Sequence, residues 1–89
     1  MSKLSGTVTT PDGAISPEAV VELHNSSNDT LDQVVVDDDG RYTYHLVEGT
    51  WVLRAWDAHG RRASVTVTLA TGEDQDLDIE LVEPEGGSR

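Results

Sequence analysis

The residues best suited to chemistry are three consecutive carboxylates ahead of a glycine, Asp37-Asp38-Asp39-Gly40. Carboxylate oxygens are calcium ligands, and a calcium ion takes about six to eight oxygens. The spacing is not that of the D-x-[DN]-x-[DN]-G calcium loop, and the distal glutamate of that motif is missing. A tight turn, with the Asp side chains accepting from local backbone N–H groups, is the favoured reading. Asp37, Asp38 and Asp39 therefore stand as a calcium candidate only, and no cofactor is expected. His24, His45 and His59 fall on different elements with no i, i+2 or i, i+4 pairing. Zinc or catalytic use needs convergence and a partner that orients each ring. His24 and His45 read as outward-facing strand residues and His59 as a turn residue.

No arrangement of nucleophiles emerges. The chain has no cysteine, which excludes thiolate metal sites, cysteine nucleophiles and disulfides. It holds neither a G-x-S-x-G elbow nor an S-x-x-K element. Paired acids for glycoside hydrolysis need a cleft, and so small a domain offers little concavity. Asn25-Ser26-Ser27 and Asn28-Asp29-Thr30 fit the glycosylation pattern but read more simply as a polar loop. The expectation is a protein that is not an enzyme.

The elements that must position these residues are strands. Apolar residues recur with period two, broken every 8–12 residues by turn residues, the signature of an all-β sandwich or barrel. Lys3–Thr10 reads as a first strand, closed by Pro11-Asp12-Gly13. Glu18–His24 is a second and Gln33–Val36 a short third, separated by the loop Asn25–Thr30. Arg41–Val47 alternates cleanly, with Tyr42, Tyr44 and Leu46 on one face. Glu48-Gly49 turns the chain into Thr50–Asp57, where Trp51, Leu53 and Ala55 share a face. Ala63, Val65, Val67 and Leu69 mark a sixth strand after Ala58-His59-Gly60. In the last, Leu77, Ile79 and Leu81 face inward while Asp76, Asp78 and Glu80 face out. Trp51, Tyr42 and Tyr44 are expected to supply much of the buried area. Residues 1–82 form one domain on this reading, and 83–89 (EPEGGSR) a flexible tail.

The outward face of the fifth strand carries the clearest contact candidates. Val52, Arg54 and Trp56 alternate with core positions, so parity places Trp56 at the surface. If the fourth and fifth strands pair as a hairpin, Arg41 lies beside Trp56 and permits a cation–π stack. Trp56 packing under a loop or edge is one reading; the other is an anchor, since exposed Trp and Arg are enriched at interface hot spots. Trp56 with Arg54 is the first candidate for partner contact, and the acidic last strand (Asp74, Asp76, Asp78, Glu80) the second.

Composition narrows the partner class. The 89 residues hold 17 Asp and Glu against 6 Lys and Arg, a net charge of −11. Such a field repels phosphate backbones, so nucleic acid is not an expected partner. Lys3 is the sole lysine, and this acidic, lysine-poor character suits a salt-rich setting or a high-GC genome, and equally a surface that simply favours solubility. No apolar stretch approaches the length that crosses a bilayer, and none follows a basic start as a secretion signal does.

The stretch D-D-D-G-R-Y-T-Y-H-L-V-E-G-T-W-V-L-R-A, Asp37 to Ala55, resembles the pattern D-x-x-G-x-Y-x-[FY]-x-L-x-x-G-x-[YW]-x-L of carboxypeptidase regulatory-like domains. These belong to the transthyretin-like (prealbumin-like) sandwich group. Ser5-Gly6-Thr7-Val8, Pro11-Asp12-Gly13 and Ala19-Val20-Val21-Glu22-Leu23 resemble the family's G-x-V…G…A-x-V-x-L, so the likeness runs from about Leu4 to Leu81. The chain is also similar to short actinobacterial proteins with a G-[ST]-W-x-[LV]-R-A strand. The resemblance implies a seven-stranded antiparallel Greek-key β-sandwich, transthyretin-like or Ig-like, that supports or docks; fold alone does not fix a role. The expected function is a structural docking module in a larger assembly, such as a viral capsid decoration or tail protein. The setting would be a virion or the cytoplasm, the partner a protein, with self-association compatible. The alternatives are a cytosolic accessory protein that binds a host enzyme and a carbohydrate-binding module.

Overall fold

The computed structural model describes residues 2–83, which form eight strands. They are β1 (Ser2–Thr9), β2 (Val20–Asn25), β3 (Thr30–Val35), β4 (Arg41–Leu46), β5 (Gly49–Trp56), β6 (Arg62–Leu69), β7 (Gln75–Asp76) and β8 (Ile79–Glu80). One sheet has the order β3-β2-β5-β6. In the other, β1 lies between β4 and the consecutive short strands β7 and β8. All but the first residue of the tail expected at 83–89 lies outside the described residues. Among those described, no helix is long and apolar enough to cross a membrane.

Alternation dictates the core. Tyr42, Tyr44 and Leu46 of β4 are buried, with Leu4 and Val8 of β1 beside them. The facing sheet contributes Val21, Leu23, Leu53, Ala55, Val67 and Leu69, and Ile79 and Leu81 close the edge. Burying one such large apolar side chain is worth about 1.5–3 kcal/mol gross. The tyrosines must also satisfy their hydroxyls. Tyr44 donates to the Val21 carbonyl of the opposite sheet at 3.0 Å, and Tyr42 donates to the carbonyl of Leu77. Trp51 has the expected inward parity but is only partly buried. Its indole N–H donates to the Val47 carbonyl at 3.1 Å, which holds it at the rim, so Tyr42 rather than Trp51 is the central aromatic.

Two topological expectations are corrected. The fourth and fifth strands do not form a hairpin. β4 pairs with β1, and β5 pairs with β2 and β6, so the link between them carries the chain from one sheet to the other. The sheet containing β1 is also mixed rather than antiparallel, because β7 and β8 both run parallel to β1. The single last strand expected from alternation is thus two short ones. Between them the Leu77 carbonyl turns over Gly6, where a Cβ would lie 1.8 Å from that oxygen. Leu77 N–H still reaches the Ser5 carbonyl at 2.7 Å. The Thr7 N–H, left without a backbone acceptor there, donates instead to Asp78 Oδ1 at 2.9 Å. Gly6 is required by that close approach, and the Tyr42 hydroxyl takes up the diverted carbonyl.

Candidate functional site

Antiparallel pairing sets residues side by side on the outer face of β3-β2-β5-β6 in rows. One row runs Val35, Val20, Trp56, Arg62; the next runs Gln33, Glu22, Arg54, Ser64; a third places His24, Val52 and Thr66 together. The first two rows frame a groove of about 630 Å³ lined by Glu22, Arg54, Trp56, Arg62, Ser64 and Val82, among others. Val82 arrives from the far end of the chain through a bridge to Arg62, with backbone bonds of 2.9 and 3.1 Å. Trp56 is partly buried, as is Val52, whereas Arg54 and Arg62 are exposed.

The groove's charges have particular partners. Glu22 lies directly across from Arg54, yet its Oε1 turns to His24 Nε2 at 2.6 Å. Arg54 instead donates to the Asn28 side-chain oxygen at 3.0 Å. Among the described residues, neither Arg54 nor Arg62 has a carboxylate within salt-bridge distance. His24 shares the outward parity expected of it but is only 3% exposed. The loop 25–29 folds over it, bringing the Asn28 carbonyl within 3.5 Å of Nδ1. That loop is held by Asn25 Oδ1, which accepts from the N–H groups of Ser27 and Asp29 at 2.9 and 3.0 Å.

The other sequence candidates lie elsewhere. Arg41 belongs to the opposite sheet, so the expected stack on Trp56 does not form. Its guanidinium donates to Thr7 Oγ1 at 3.2 Å and approaches Asp76 at 3.7 Å. The acidic last strand is largely committed. Asp74 accepts from the Lys3 N–H and Asp78 from the Thr7 N–H, each at 2.9 Å. Asp37 Oδ1 accepts from the N–H groups of Asp39 and Arg41 at 2.9 Å, and Gly40 completes the turn with φ 75°. Asp57 repeats the arrangement on His59 and Arg61, and adds an ion pair to Arg61 Nε at 2.7 Å. Burial pushes the Asp57 carboxyl up, but those hydrogen bonds outweigh it and hold the group below the usual carboxylate range. Among the described residues, no group of three or more His, Asp or Glu is placed to hold a metal ion.

Arg62, Glu22, Ser64 and Val82 are among the groove residues that sequence reasoning missed. The turn Ala58-His59-Gly60 between two alternating strands already implied a β5–β6 hairpin, which puts Arg62 opposite Trp56. Val82 had no such local signal.

The profile of the carboxypeptidase regulatory-like domain matches residues 3–82. The chain belongs to that family. As a member of a family of regulatory-like domains, it is a non-catalytic sandwich module. A comparison with curated protein sequences finds no match. Among solved structures, this regulatory-like domain is similar to a DUF3823 family protein from Parabacteroides merdae, with 25% identity and a TM-score of 0.70 over 90% of this chain. It spans 45% of that protein's length. It is also similar to 5-hydroxyisourate hydrolase of Klebsiella pneumoniae, with 20% identity, TM-score 0.72, and 94% of this chain and 87% of that one covered. GBS52, the minor pilin of Streptococcus agalactiae, has 21% identity and a TM-score of 0.72, with 99% of this chain and 48% of that one covered. The last two likenesses concern the fold alone; the hydrolase's activity is its own.

Proposed function

We propose that this regulatory-like domain is a docking module, an accessory component of a larger assembly that seats a protein partner on the outer face of β3-β2-β5-β6. The observation that carries the reading is the placement of Trp56. A large aromatic, the residue type most enriched at binding hot spots, lines a groove between two arginines on an open sheet face. A virion, with the chain as capsid decoration or tail component, is the form of assembly expected from the sequence. The likeness to a minor pilin supports the general idea that a sandwich of this shape serves in built assemblies. Carbohydrate binding has less support, because it uses a platform of aromatics. Trp51 has the opposite parity to Trp56, and Tyr42 and Tyr44 are in the core.

The test is a photo-crosslinking side chain introduced at position 56, and separately at position 43 on the outer face of the other sheet, in cells or particles of the natural source. The expected result is one discrete adduct from position 56 and none from position 43. Equal adducts from both faces, or none from position 56, reject the reading. Electron microscopy of particles from the same source tests the virion form, which requires copies on a symmetric lattice.

A further inference from the structure

The arginines beside Trp56 say what chemistry the partner carries. The chain's acids outnumber its Lys and Arg by 17 to 6. With carboxylates so abundant, a cation facing none of them is unexpected. Arg41 faces Asp76, and Arg61 is paired with Asp57. Among the described residues, Lys3, on the other sheet, has no carboxylate within salt-bridge distance but lines a groove with Asp74 and Asp76. Arg54 and Arg62 have none either, among the described residues, and share their groove with one acid, Glu22. They sit on neighbouring strands in adjacent rows, Arg54 across from Ser64 and Arg62 across from Trp56. The nearest acid by register, Glu22, is drawn away by His24 at 2.6 Å. Asn28, a neutral amide, takes a hydrogen bond from Arg54 and fixes its direction.

Guanidinium groups bind carboxylates by paired hydrogen bonds, with more geometric specificity than a lysine supplies. Beside the two arginines the groove is lined by apolar Trp56 and Val82 and by polar Ser64 and Glu22. The site thus offers two cations flanked by an apolar patch, open along the sheet face. Resting on the docking reading above, we propose that the groove receives an extended acidic segment of a protein partner. Its carboxylate side chains meet Arg54 and Arg62, and an apolar side chain two positions from each, on the same face of the extended segment, lies on Trp56 and Val82. The net charge of −11 repels every acidic occupant at long range and is screened by salt, so the contact rests on Arg54 and Arg62 at short range.

The probe is a capped peptide with the repeat Glu-Ser-Leu-Ser-Glu, which sets glutamate and leucine on one face of an extended strand, together with its glutamine counterpart, titrated into the intact chain and followed by NMR. The glutamate peptide should shift the Trp56 indole N–H and the Nε–H signals of Arg54 and Arg62, and leave the Trp51 indole in place. The glutamine peptide should bind at least about tenfold more weakly. Arg54→Gln and Arg62→Gln should each weaken the glutamate peptide about fivefold or more, while Arg41→Gln on the other sheet changes nothing. Equal binding of the two peptides, or binding unaffected by Arg62→Gln, overturns the proposal. So do two further results: sodium acetate alone reproducing the shifts at matched concentration, or self-association that Arg62→Gln abolishes. The crosslink at position 56 separates this proposal from the docking reading. An adduct whose yield is unchanged in the Arg54→Gln, Arg62→Gln double variant removes the acidic segment and leaves the docking face standing. Loss of the adduct in the wild-type background removes both.

Discussion

The outer faces of the two sheets use charge in opposite ways. On β4-β1-β7/β8, Asp74 and Asp78 turn inward onto N–H groups of β1, and Arg41 is spent on Thr7 and Asp76. There the charged side chains complete a sheet whose last strand is broken. On β3-β2-β5-β6 the β2-β5-β6 ladder runs without a register shift, the irregularity lying at Leu23/His24 against β3, and Arg54 and Arg62 are left facing outward. The lesson is that acidity on one face is architecture, whereas the sparse positive charge on the other is available for contact.

The largest effect is expected from the break itself. Gly6→Ala places a methyl against the Leu77 carbonyl and should cost about 3 kcal/mol in urea unfolding, near the upper end for overpacking. A loss under 0.5 kcal/mol would mean that β7 and β8 slide freely and that the stitched face is not structural. Next comes Asp57→Asn, the ion-paired turn of the other sheet, at about 2 kcal/mol near neutral pH. Because the Asp57 carboxyl is held below its ordinary value of 3.8, its contribution is complete above that pH. It is lost as pH falls through the folded value, so the gap between wild type and variant should close on acidification. A gap that does not narrow as the pH falls below 3.8 contradicts the assignment. Asp78→Ala removes the acceptor for the Thr7 N–H and should cost about 1–2 kcal/mol, with faster hydrogen exchange at Thr7. Unchanged exchange there would show that water serves equally well.

The smallest expected effect sharpens the contrast most. Arg54→Gln and Arg62→Gln should leave the urea midpoint within about 0.5 kcal/mol of wild type. A larger loss would give these arginines a structural duty like that of the acids opposite. At high pH the core tyrosines offer a further check. Burial, followed by the charges of Asp32 and Glu22, pushes the Tyr44 phenol up to about 12. Its neutral form is therefore favoured by folding, and stability should fall as pH rises from about 10 through that value. Tyrosinate absorbance appearing well before unfolding would place Tyr44 outside the core.

Much of the fold was readable because a two-residue period states which side of a strand is apolar. Tyr42, Tyr44, Leu46, Leu53 and Ala55 all lie where alternation put them, and Trp56 sits on the predicted outer face. The period is silent about neighbours. Nothing local distinguishes a β4–β5 hairpin from a two-residue crossing between sheets, so the sequence alone sets Arg41 beside Trp56 when it belongs across from Thr7. His24 shows the same limit from another side. Its outward parity follows from alternation, but its burial is imposed by a loop that folds back over it. Trp51 has inward parity yet lies at the rim, since alternation does not report where along the sandwich a position falls. The groove was half legible: Arg54, Trp56 and Val52 followed from one strand, while Glu22, Arg62 and Val82 needed the order of strands.

The pairing of β1 with β7 and β8 bears on how the chain is made. Lys3 and Thr7 wait for Asp74 and Asp78, 71 positions downstream, and Tyr42 waits for Leu77. A nascent chain emerging from the ribosome can assemble β2, β3, β5 and β6 while one side of β1 stays unsatisfied until nearly the whole domain has been synthesised. Such long-range closure slows folding, and translation that stalls after β6 would release a product with an open strand edge, prone to pair with other chains.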